Sequence, residues 1–202
     1  MDRLSGDHLD GIGPLGKHAV EGGGDSCGRL AREDAGDIDH RHSVALEDTG
    51  PRRAARRRVA GLATRTTNAD EAQPSKARIP ELWGRFMSQH WAERLAQGGA
   101  VGPLLAVYSA YESDASGSYQ ILIGRELAGS SPLAPPLQIV DVPQGQYVVF
   151  GCPGPLPDAV IAGWRRVWTF FERPDAPPRA YTADFEAYTE PERTEIWVAV
   201  RD

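Results

Sequence analysis

Lysine is nearly missing from this chain of 202 residues, with Lys17 and Lys76 set against twenty arginines. With Ala, Gly and Pro abundant, that bias points to a GC-rich bacterial genome. Cysteine is as scarce: Cys27 and Cys152 do not make a disulfide framework, which suits a reducing compartment. Long apolar runs are absent too, for no stretch approaches the roughly 18–20 residues of a membrane-spanning helix. The opening Met-Asp-Arg-Leu-Ser-Gly-Asp-His lacks the basic-then-apolar order of a secretory signal. The expected location is the cytoplasm, with no membrane partner.

Aromatic residues are missing altogether from residues 1–50, which hold five Lys or Arg against eleven Asp or Glu. A segment so rich in Gly and Asp buries too little apolar surface to offset the entropy of ordering it. Residues 1–52 therefore read as a disordered acidic tail, or as an upstream extension from a misassigned start codon, and residues 53–202 as one domain. Residues 1–50 carry the whole of the chain's net charge of −6. The neutral remainder offers no field for direct nucleic-acid binding, and the basic run Arg52, Arg53, Arg56, Arg57 and Arg58 is short enough to be a junction. The tail also lacks the paired amphipathic helices of a helix-turn-helix. His8, His18, His40, His42 and Cys27 fall there, but only the i, i+2 pair His40 and His42 has a zinc-site spacing, and a flexible tail rarely pre-organises ligands, so no metal is expected.

What is there begins at Arg57 to Thr66, a first strand. Ile79-Pro80-Glu81-Leu82-Trp83 opens a helix with Pro in its first turn, where its missing N–H costs nothing. Ile79, Leu82/Trp83, Phe86/Met87 and His90/Trp91 keep one apolar stripe until Gly98 and Gly99. The lone His90 has no acid or nucleophile beside it and reads as a surface or structural residue. Leu104–Tyr111 and Tyr119–Leu127 form a hairpin around an Asp/Ser/Gly turn. Ile139–Pro143 and Gln146–Gly151 resume extended structure, and a helix follows from Asp158, its expected N-cap, to Glu172. Helical spacing makes Trp83, Trp164, Trp168 and Phe171 core residues.

The last two strand patterns, Ala180–Tyr188 and Thr194–Val200, flank the polar turn Thr189-Glu190-Pro191-Glu192-Arg193. A turn centred on Pro191 and Glu192 sets Tyr188 opposite Glu195, Glu186 opposite Trp197 and Asp184 opposite Ala199. In that register Phe185, Ala187, Ile196, Val198 and Val200 face the core. The other face gathers Asp184, Glu186, Tyr188, Glu195 and Trp197, acids beside large aromatics, which is the composition of a binding surface.

Strand, helix and hairpin occur twice from Arg57. The expected fold is α+β: duplicated β-α-β-β units forming a curved antiparallel sheet, with two helices on one face and a ligand groove on the other. Echoes of sequence support the duplication, with Tyr111 set against Tyr188. Gly61-Leu62, Thr66 to Glu71, Ile79 to Trp83, Tyr108 to Asp114, Gly117 to Tyr119, Val142-Pro143, Gln146 to Phe150, Trp164 to Trp168 and Asp184 to Tyr188 stand in an order that resembles the GyrI-like small-molecule-binding domain. This is also the effector-binding domain of bacterial transcription activators, here most similar to its stand-alone, integron-cassette-type branch.

The resemblance implies a groove for aromatic, amphipathic or cationic compounds, with no cofactor. It places a buried glutamate at Glu186, and Tyr188, Trp197, Tyr111 and Tyr108 as candidate walls. Physics agrees: a carboxylate desolvated among aromatic rings is costly until a cation joins it, and ring faces attract cations. The expected function is a stand-alone sensor or sequestering protein. The first alternative is a GyrI-like hydrolase of electrophilic small molecules, in which Glu186 orients or deprotonates water with Tyr111 or Tyr188 as donor. The second is a protein-partner role, gyrase inhibition or service to a transcription regulator in trans; oligomeric state is left open.

Overall fold

A computed structural model describes residues 49–129, 134–190 and 193–201. The tail's histidines, Cys27, and the turn residues Pro191 and Glu192 lie outside the described residues. In chain order the elements are β1 (Thr49–Ala54), β2 (Arg57–Thr67), α1 (Asn68–Glu71), α2 (Ile79–Ser88), α3 (Trp91–Gln97), β3 (Ala100–Ser109), β4 (Ser118–Leu127), β5 (Gln138–Val142), β6 (Gly145–Pro153), α4 (Asp158–Phe171), β7 (Ala183–Glu190) and β8 (Arg193–Val200).

The described strands form one antiparallel sheet in the order β1-β6-β8-β7-β3-β4-β2-β5. That order is symmetric about the β7–β3 seam. β6-β8-β7 on one side answers β2-β4-β3 on the other, so the duplication written in the sequence is present in space. Each half also lends a strand to its partner: β1, which precedes the first unit, pairs with β6 of the second, and β5 pairs with β2 of the first. Thr49 to Arg52 are part of that exchange, so strand pairing begins inside the segment read as tail.

The helices pack on one face. Ile79, Leu82, Trp83 and Phe86 of α2, Trp91 and Leu95 of α3, and Val160, Trp164 and Val167 of α4 close over Leu62, Tyr108, Ile121, Ile123, Phe150, Ile196 and Val198. The stripe read as one helix is broken at His90, whose φ of 54° lies in the left-handed region and turns the chain between α2 and α3; its side chain is exposed. Pro80 occupies the first turn of α2 as expected. Asp158 is the first residue of α4 and not its cap, a position held by Pro157 without a side-chain hydrogen bond. The cap of α2 comes from elsewhere. Buried Glu71 accepts from the backbone N–H groups of Arg78 (2.9 Å) and Ile79 (3.3 Å) and from Thr66 Oγ1 (2.5 Å), placing a carboxylate at the positive end of the α2 dipole.

The face away from the helices is also buried. Ala54, Val59, Leu105, Val107, Leu122, Val140, Val142, Tyr147, Val149, Phe185, Ala187 and Ala199, contributed by all eight described strands, form a second apolar cluster with no helix over it among the described residues. A sheet face covers itself only by curling, and the glycine pair Gly61/Gly124 lets it. A Cβ on either would come within 1.9 Å of a carbonyl oxygen on the facing strand, so β2 and β4 approach there as closely as only glycine permits. The α+β curved sheet is thus as expected, but the side opposite the helices, where the groove was expected, is filled by its own core.

Candidate ligand-binding site

In the final hairpin the tip register matches expectation, with Glu190 opposite Arg193. Between Tyr188 and Glu190 a bulge then admits one extra residue on β7, so Tyr188 faces Thr194, Glu186 faces Ile196 and Phe185 faces Trp197. A one-residue slip turns every later side chain of β8 to the opposite face relative to β7. The expected grouping is therefore corrected. Asp184, Glu186 and Tyr188 share their face with Ile196 and Val198 beneath the helices. Trp197 and Glu195 lie on the other face, where Trp197 stacks on Phe185 at 5.3 Å and 13°.

Glu186 is fully buried at the β7–β3 seam. Its Oε1 accepts from Tyr108 OH of β3 (2.7 Å) and from Trp164 Nε1 of α4 (2.6 Å), and its Oε2 from Tyr188 OH (2.5 Å). Each of these partners is neutral. Burial raises the Glu186 pKa, while the bonds from Trp164, Tyr188 and Tyr108 pull it down, and the net shift is upward. Tyr108 and Tyr188 are pushed well above the usual phenol range, first by burial and then by the carboxylate, so both remain hydroxyl donors.

Rings surround the acid. Trp83 of α2 meets Tyr188 edge-on at 5.4 Å, and Trp164 of α4 meets Tyr108 edge-on at 5.2 Å. The two helices thus each place one indole over the seam. Beyond Tyr108, Tyr119 and Tyr111 continue the aromatic wall at 5.8 Å steps. Tyr111 lies past the end of β3, whereas Tyr188 lies within β7, so the two tyrosines matched by sequence are not structural equivalents. Tyr111 OH instead donates to Asp184 Oδ2 (2.7 Å), the same oxygen that holds Arg179 Nη2 (2.5 Å), and Asp184 Oδ1 accepts from the backbone N–H of Ala199 (2.8 Å). A cavity of about 10 Å³ lies against this wall, lined by Asn68, Tyr108, Tyr111, Ala115, Tyr119, Trp164, Trp168 and Arg179.

Of the five expected site residues, Glu186, Tyr188 and Tyr108 are in direct contact, Tyr111 is one ring further along, and Trp197 is absent from the group. Trp83, Trp164, Trp168, Tyr119 and Arg179 were not expected. Helical spacing marked the tryptophans as core, which they are, yet a buried indole N–H needs an acceptor, and that requirement was the available signal.

The matching family model, integron-associated effector binding protein (Cass2), spans residues 55–200. The chain belongs to that family. YobU of Bacillus subtilis (strain 168), a presumed transcriptional regulator by its name, is 33% identical over 152 residues, covering 72% of this chain and 92% of its own. An integron cassette protein from the mobile metagenome of Vibrio cholerae is similar in structure, with a TM-score of 0.65 and 32% identity over 77% of this chain and 97% of its own. SAV2435, solved bound to tetraphenylphosphonium, shares the fold at a TM-score of 0.64 and 21% identity, covering 76% of this chain and 94% of its own. Effector-binding membership makes small-molecule binding the function of this domain in general terms. Among the described residues no helix is long and apolar enough to cross a membrane.

Proposed function

We propose that this domain binds a small aromatic or amphipathic cation between α2 and α4, with Glu186 as counter-ion and Trp83, Trp164, Tyr108, Tyr111 and Tyr188 as walls, and that it serves as a sensor or sequestering protein. The observation that carries the reading is the state of Glu186: an acid with no solvent contact, wrapped in aromatic rings and answered only by neutral donors. Such an acid is held at a cost that a bound cation relieves. The rings supply apolar area and negative π-faces to the same guest. Tetraphenylphosphonium, the ligand of the similarly folded SAV2435, has this character. Access requires α2 and α4 to part, and the gain at Glu186 offsets the lost indole contacts.

Hydrolysis is less well supported. A general base needs an oxygen free to hold water, and both oxygens of Glu186 already accept side-chain hydrogen bonds. The deciding experiment is calorimetric titration of the full chain with tetraphenylphosphonium and with an uncharged tetraphenyl analogue, in wild type and Glu186→Gln. The expected result is a loss of about tenfold or more for the cation and little change for the neutral compound. Equal losses for both would remove Glu186 as counter-ion.

A further inference from the structure

The cavity beside the aromatic wall differs chemically from the Glu186 end. Five side-chain polar atoms of its lining residues are buried without a hydrogen-bond partner among the described residues: Asn68 Oδ1, Tyr119 OH, Trp168 Nε1, and Arg179 Nε and Nη1. Buried polar groups are nearly always satisfied, so a cluster of this size against one cavity indicates something that belongs there. Asn68 is otherwise engaged through its amide nitrogen to Ala115 O (2.8 Å), and Arg179 through Nη2 to Asp184.

Arg179 is the central group. It is 8% exposed, and its guanidinium lies over Tyr181 at 4.5 Å, Trp168 at 5.3 Å and Phe171 at 5.7 Å. Those rings and the Asp184 bond fix the fork in place and leave two of its nitrogens unanswered. With Trp168 Nε1 and Tyr119 OH, the cavity presents donors in excess of acceptors, since only Asn68 Oδ1 is purely an acceptor. The local charge is not free for an anion: Asp184 already neutralises Arg179, and Glu186 stands behind Tyr108 and Trp164. The partner that fits is a neutral oxygen acceptor.

Resting on the reading above, we infer that the ligand is a two-ended molecule, an aromatic cation that also carries a carbonyl or similar neutral acceptor, whose oxygen occupies the Arg179–Trp168–Tyr119 cavity while the cationic ring system lies over Glu186. About 10 Å³ is the space of one small oxygen-bearing group or one water. A carbonyl oxygen that replaces such a water and reproduces its hydrogen bonds gains affinity. Tyr108 and Trp164 touch both ends, since each bonds Glu186 and lines the cavity, so one ligand spans the two without a gap.

The test is a matched pair of probes, tetraphenylphosphonium and (4-acetylphenyl)triphenylphosphonium, which differ by one acetyl group. Both are titrated against the full chain in wild type, Trp168→Phe and Tyr119→Phe; these variants keep the ring and delete one polar atom. Wild type is expected to favour the acetyl compound by about threefold to tenfold, the range of one or two neutral hydrogen bonds. Each variant should reduce that preference, read as the ratio of the two affinities within that variant, whatever it does to the affinity for tetraphenylphosphonium itself. If both probes bind wild type equally, the cavity takes a water only and the inference falls, with the cation reading intact. If neither probe binds, the cation reading has failed first. Thermal melts of both variants identify a folding defect, and a variant that melts like wild type yet keeps the full preference also overturns the proposal.

Discussion

Trp164 donates its indole N–H to Glu186 at 2.6 Å, joining the centre of α4 to the centre of the sheet. The bond sets the depth at which α4 sits and supplies one of three donors to a carboxylate with no solvent exposure. Trp164→Phe keeps much of the ring packing and removes the donor. Hydrogen bonds to charged groups contribute about 1.5–3 kcal/mol, so a loss of that order is expected in urea unfolding above the Glu186 pKa. The loss should shrink at acid pH, where Glu186 is protonated. A loss independent of pH would assign the effect to packing alone.

Glu186 itself predicts a pH dependence. Burial raises its pKa above the ordinary 4.5. From 4.5 up to the raised value the folded chain therefore holds a proton that the unfolded chain has released, and stability falls as pH rises through that window. Glu186→Gln carries no such proton. Its stability relative to wild type should improve steadily as pH rises from 4.5 through the raised value, read as the difference of two urea midpoints at each pH. The affinity of wild type for tetraphenylphosphonium should rise over the same window, because the cation selects the ionised acid, while a neutral analogue binds with a flat profile. A constant stability difference would show that Glu186 ionises at an ordinary pH.

The fold was legible because its signals are local. Pro80 in the first turn of α2, the Gly98–Gly99 stop, the Asp/Ser/Gly turn before Tyr119 and the repeated strand-helix-hairpin order each belong to one short segment. The site was legible only in part, because its assembly depends on register. The pairing of Glu190 with Arg193 was as expected, but the extra residue between Tyr188 and Glu190 reversed the faces below it, exchanging Trp197 for Ile196 beside Glu186. No composition cue marks that bulge. The exchange of β1 and β5 between the halves was hidden for a similar reason: Thr49–Ala54 lacks an aromatic or alternating pattern and is held by pairing to β6 and by contacts such as Arg52 to Glu195 at 3.0 Å.

Trp197 offers a direct check on that register. It stacks on Phe185, meets Tyr147 at 6.1 Å and lies beneath the Arg52 guanidinium at 5.7 Å, all on the face away from the helices. Trp197→Phe should therefore leave ligand affinity unchanged within about twofold and retain ligand-dependent quenching of the remaining tryptophans, while costing roughly 1 kcal/mol of stability. Loss of the quenching signal in this variant would restore Trp197 to the site and contradict the observed pairing.

At Gly163, α4 presses directly against the sheet. A Cβ there would lie 2.3 Å from Cys152 Sγ and 2.8 Å from the Cδ1 of Ile196. Neither neighbour has room to give, since both are buried and Cys152 is fixed in β6. Gly163→Ala should lift α4, cost about 1–3 kcal/mol through overpacking despite the helix propensity that Ala brings, and lower ligand affinity, because Trp164 next in the chain would leave Glu186. Cys152→Ala removes the nearer of the two obstructing atoms. The double variant should recover part of both losses, with a coupling of about 0.5–3 kcal/mol in a double-mutant cycle. Additive effects of the two substitutions would mean that the α4–sheet distance is not what positions the indole.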